Sequence, residues 1–139
     1  MKKVGLLLLL MIMLAGLHAQ ISDPWGNPTI YGTGMSIVVK VKINGLDATT
    51  DDILTAYVGN QLRAKTTLVS YSPPVNGVGR TFLIQTVTPN ETIVFKVWDY
   101  SEQRVYISSV NIQSIPGGTI GSFPNNIYEI NATIQTHSI

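Results

Sequence analysis

The sequence predicts an all-β fold: a two-sheet, mostly antiparallel β-sandwich of about seven strands, Ig-like or jelly-roll-like in arrangement. Three observations carry this. Period-2 alternation of apolar and polar residues recurs in segments rich in Val, Ile, Thr and Tyr. Gly, Asn and Pro clusters separate these segments at short, even spacing. After residue 20, no stretch sets apolar residues at i, i+3, i+4 and i+7 among strong helix formers. One twisted sheet of this size would leave an apolar face in water, so two packed layers are expected.

The strands follow in order. In 34–43, Met35, Ile37, Val39, Val41 and Ile43 share one face, and Ser36, Val38, Lys40 and Lys42 the other; Asn44-Gly45 ends it with a turn. In 53–58, Leu54, Ala56 and Val58 oppose Ile53, Thr55 and Tyr57. Gly59-Asn60 then reads as a tight hairpin turn into 61–69, where Leu62, Ala64, Thr66 and Leu68 oppose Arg63, Lys65 and Thr67. Residues 70–79, with Pro73, Pro74, Gly77 and Gly79, form a loop. Residues 80–87 form a strand, and 88–91 turn it into 92–98. There Ile93, Phe95 and Val97 oppose Val94, Lys96 and Trp98. Residues 99–102 turn into a strand over 103–112, Pro116-Gly117-Gly118 loops, and 126–134 is the last strand.

The N-terminus has another character. Lys2 and Lys3 precede an apolar run over 4–14, and small residues follow up to Ala19. This is the layout of a cleaved secretory signal, expected over 1–19 with cleavage near Ala19. The run is short of the ~20 residues that a membrane-spanning helix needs. No Cys follows it to carry a lipid, and no later segment is apolar enough to span a bilayer. The expectation is a secreted or periplasmic protein with one domain over 20–139, its ordered core at about 30–134. Removing Lys2 and Lys3 from the nine basic residues leaves seven, against eight acidic ones. A near-neutral domain has no electrostatic footprint for nucleic acid. With no Cys in the chain, stability rests on apolar burial and strand pairing.

Chemistry is scarce. The two His residues are His18, in the expected signal, and His137, in the tail. Thiol nucleophiles, Ser-His-Asp triads and N/S-ligand zinc sites are therefore not expected, nor is a cofactor. Asp47, Asp51 and Asp52 cluster after Gly45. They are calcium candidates by ligand chemistry, but the alternating spacing of a calcium loop is missing, and a polar turn is the plainer reading. Asp99 and Glu102 sit in one turn and read as solvated acids. Gly32-Thr33-Gly34 and the glycines at 117, 118 and 121 read as turn residues, since no helix follows to hold a phosphate. Aromatics are the surface feature that points to binding. Trp98 and Tyr100, with Trp25 and Tyr57, are the candidates for stacking on a sugar or a partner chain, against rim packing of Trp98. Pro24 and Pro28 keep the Trp25 segment from forming a regular strand. It is expected to lie over a sheet edge or cap one end of the core, anchored by Trp25.

Several motifs together resemble a β-sandwich domain found in exported proteins of Bacteroidetes and related bacteria. They are the Met35 to Val39 alternation, Asn44-Gly45, the run from Asp52 through Ala56-Tyr57-Val58 to Leu62-Arg63, Phe95-Lys96-Val97-Trp98-Asp99, Gly121-Ser122, and Asn126-Ile127-Tyr128. Tyr57 stands where that pattern has Phe, and Ala64 where it has Gly. The resemblance implies an exported sandwich module of unassigned function and carries over no catalytic residue. Such proteins often end in a separate sorting domain; none is recognised in this sequence.

The expected function is a non-catalytic module that binds or adheres to glycan or protein. The alternative is a structural or assembly subunit joined through strand edges.

Overall fold

The computed structural model describes residues 22–135. The expected signal at 1–19 and His137 lie outside them. Among the described residues the chain is all-β, with no helix, so no helix is long and apolar enough to cross a membrane.

Eleven strands form in chain order: β1 (Gly34–Ile43), β2 (Leu46–Asp47), β3 (Ile53–Val58), β4 (Gln61–Thr67), β5 (Val69–Ser70), β6 (Val78–Gln85), β7 (Thr92–Asp99), β8 (Arg104–Ser108), β9 (Ile112–Gln113), β10 (Thr119–Ile120) and β11 (Tyr128–Gln135). The strands do not divide into two sheets. They join in one mixed sheet, ordered β4-β3-β7-β8-β11-β1-β6-β5 and nearly closed into a barrel. Two features make this path. First, β1 and β11 pair in parallel from Val39↔Tyr128 to Ile43↔Ala132, which joins what would have been the edges of separate sheets. Second, the chain continues from β4 through Leu68 into β5, which pairs with β6 at Val69↔Gly79 and Ser70↔Val78. Closure buries an inner face as a second sheet would have done.

The core follows the alternation. Met35, Ile37, Val39 and Val41 of β1, Leu54 and Ala56 of β3, and Ile93, Phe95 and Val97 of β7 all turn inward and are fully buried. Ile84, Ile130 and Ala132 complete the layer from the facing strands. Asn44 and Gly45 both take positive φ (51° and 79°), which matches the twist of the tight turn from β1 to β2.

The alternation breaks in β4. Ala56 pairs with Ala64, but Tyr57 pairs with Leu62, so Arg63 is an extra, bulged residue. Leu62 is shifted off the core face and is half-buried, while Arg63 is buried at 5% exposure. All three nitrogens of its guanidinium are engaged: Nε donates to Gln61 Oε1 (2.6 Å), Nη1 to Gln85 O (3.0 Å) and Glu91 Oε1 (3.2 Å), and Nη2 to Glu91 Oε2 (3.0 Å).

Candidate ligand-binding cleft

An open cleft of about 230 Å³ lies at the barrel end formed by the β1–β2 turn, the loop into β3 and the β7–β8 turn. Asp47, Thr49 and Asp52 line it from the first two. Asp99, Ser101 and Glu102 line it from the third and Tyr106 from β8, and Ile43 and Leu46 add apolar surface.

Asp52 ties the two loops together. It is 2% exposed. Its Oδ2 accepts the Thr49 N–H (2.7 Å) and its Oδ1 the Tyr100 N–H (2.9 Å). Burial pushes its carboxyl above the ordinary value, and the nearby Asp99 charge adds to the rise. The two N–H groups hold part of it back. Asp52→Asn must turn an amide NH₂ toward one of these N–H donors. It is expected to destabilise the fold by about 1–3 kcal/mol, read as a lower urea midpoint with an unchanged slope.

Asp99 is 8% exposed. Its Oδ1 accepts from Ser101 N (3.0 Å), Ser101 Oγ (2.7 Å) and Glu102 N (3.3 Å), which folds the turn back on itself. Its other oxygen takes no donor from the described residues. Glu102 is fixed in turn by the Tyr106 hydroxyl, which donates to Oε2 at 2.5 Å. That bond, and burial after it, hold the Tyr106 phenol above its ordinary value of 10.0. The cleft thus presents carboxylate oxygens from Asp47, Asp99 and Glu102, with no Lys or Arg among its lining residues.

Tyr57, Tyr71 and Tyr128 are raised as well, each chiefly by burial. A phenol that keeps its proton longer in the folded state contributes stability that is complete below the unfolded pKa and is lost as pH rises through the folded one. The urea midpoint should therefore hold steady to about pH 9.5 and fall steeply above about pH 10, where unfolded tyrosines ionise first. Tyr106→Phe should make that fall shallower.

The expected site residues do not converge. Trp98 is 4% exposed, flanked in register by Ile53 and Val105, so it is packing and not an open stacking platform. Tyr100 is 44% exposed, in the β7–β8 turn beside the cleft, and does not itself line it. Trp25 and Tyr57 belong to another region. Trp25 O accepts from Lys65 Nζ of β4 (3.0 Å), and Lys96 Nζ stands 4.2 Å over the Tyr57 ring.

The calcium grouping also comes apart. Asp52 is buried with both oxygens engaged, Asp51 is exposed and does not line the cleft, and Asp47 enters it from β2. Among the described residues, no group of three or more His, Cys, Asp or Glu side chains is arranged to hold a metal ion.

Asp99 corrects the view of this turn as a pair of solvated acids, because its backbone and Ser101 donors compensate its burial. Sequence reasoning missed the Glu102–Tyr106 and Arg63–Glu91 pairings. The Asp-x-Ser spacing of 99–101 is the one local signal, since it marks a side chain that bonds its own turn.

No protein family, curated protein or solved structure matches the chain.

Proposed function

We propose that this chain is an exported, non-catalytic binding module that takes a neutral or amino sugar of a glycan into the acidic cleft. The observation that carries this reading is a small cleft rich in carboxylate acceptors with no basic residue in its lining. Sugar hydroxyls and ammonium groups are donors and fit such a lining, while acidic sugars are repelled by it. The volume is below that of pockets for drug-sized ligands, and suits a single ring. Asp99 and Glu102 are held in place before any ligand arrives, which lowers the cost of binding. Tyr100 offers an exposed aromatic face in the same turn. The Ser101 hydroxyl donates to an Asp99 oxygen that already accepts two backbone N–H groups, so it is poorly placed as an activated nucleophile. Export is supported by the signal-like N-terminus and by the resemblance to exported bacterial modules.

A glycan array with the mature domain tests this. Binding is expected to neutral or amino sugars and to be absent for uronic and sialic acids. Glu102→Gln should weaken it roughly tenfold or more, the scale of one charge-assisted hydrogen bond, with little change in melting temperature. An array without signal, or a preference for acidic glycans, would contradict the reading.

A further inference from the structure

Residues 23–31 reach β1 along the outside of the barrel and are held there mainly by β4. Thr29 N donates to Leu62 O (3.0 Å). Lys65 Nζ donates to Trp25 O (3.0 Å) and pairs with Asp23 (2.8 Å). The Tyr31 hydroxyl donates to Gln61 Oε1 (2.7 Å), its N–H donates to Gln85 Oε1 (2.9 Å), and its ring lies 4.8 Å from the Arg63 guanidinium.

These contacts fall where the barrel is unfinished. β4 pairs with β3 on one side and has no ladder to β6 on the other, although the two strands run side by side. An open strand edge is a template for further pairing, and the segment acts as a strap across it. The strap joins the barrel through Gly32, whose φ is +78° and which has no atom within 4 Å of where a Cβ would stand. Nothing packs where its side chain would stand, which makes it the candidate hinge.

We propose that the strap is an exchangeable ligand of the β4 edge, and that a second copy of this chain can supply it. In the resulting dimer, residues 23–31 of each copy lie on β4 of the other. Every contact named above is remade, so the exchange costs only association entropy. Tethering gives the strap of the same copy an effective concentration in the millimolar range, so the native chain is monomeric at micromolar concentration. Disfavouring positive φ at the hinge tips the balance toward exchange.

Gly32→Pro does this, because proline fixes φ near about −65°. Gly32→Asn is the control, because asparagine accepts positive φ. Light scattering coupled to size exclusion at about 100 μM, below the tethered concentration, should show native and Asn variants as monomers. The Pro variant should have its dimer association constant raised roughly tenfold or more. Adding Thr29→Pro, Tyr31→Ala and Lys65→Ala to it removes all of these strap contacts but the Tyr31 N–H bond, within and between copies, and should restore the monomer. Gly32→Val, strained in the same sense, stands in if the Pro variant does not fold. Pro and Val variants that both stay monomeric would overturn the proposal. So would a dimer that survives loss of the Thr29, Tyr31 and Lys65 contacts together.

Discussion

Arg63→Ala is expected to cost about 3–5 kcal/mol, the scale on which breaking a buried, hydrogen-bonded ion pair destabilises a fold. The side chain is buried in the β4 bulge and shares two parallel hydrogen bonds with Glu91. Truncation leaves Glu91 without its partner and removes a donor from Gln85 O at the seam between β4 and β6. Against a total stability of about 5–15 kcal/mol, such a loss brings the protein close to unfolding. Urea denaturation measures it directly. Arg63→Lys should recover little, because an ammonium cannot reproduce the planar fork. Replacing both partners by apolar residues of similar volume should be far less damaging than Arg63→Ala alone. If Arg63→Ala unfolds at the native midpoint, the pair does not anchor the seam.

Phe95→Ala should have a comparable effect, about 3–5 kcal/mol, for a different reason. Phe95 is fully buried at the centre of β7, paired with Ala56 of β3, with its ring 6.3 Å from that of Tyr128. Both neighbours limit collapse: Ala56 is too small to fill the space, and Tyr128 is held in β11 by parallel pairing with Val39. A cavity should therefore remain. Phe95→Leu should retain much of the lost stability, since it keeps most of the apolar volume. Equal midpoints for the Ala and Leu variants would show that the barrel collapses around the site.

The fold was legible wherever alternation is strict. β1 runs over the ten residues expected of it, and its inward face is the expected one. β3 likewise matches its expected bounds. Closure was not legible, because it depends on the parallel pairing of β1 with β11, about ninety residues later, and no local pattern encodes a partner at that distance. Arg63 was not legible either. A basic residue in an alternating strand belongs by default to the solvent face, and neither the bulge nor Glu91, 28 positions away, leaves a local mark. Trp98 occupies the face opposite Val97, as its position requires, but Ile53 and Val105 flank it there in register, an arrangement that only the strand order determines.

The cleft was half legible. Its acids were visible as turn residues, and Tyr100 as an exposed aromatic. That Asp52 would bridge to the backbone of Tyr100, 48 positions later, and bring the two acidic loops together, follows from the barrel and not from either loop.

Amide chemical-shift mapping of ¹⁵N-labelled residues 20–139 with a neutral hexose, an amino sugar and a uronic acid tests the proposed cleft most directly. The expected result is saturable shifts at Thr49, Asp52, Tyr100, Ser101, Glu102 and Tyr106 with the first two sugars and none with the acid. Shifts centred on Trp25 and Tyr57, or equal response to the uronic acid, would contradict it.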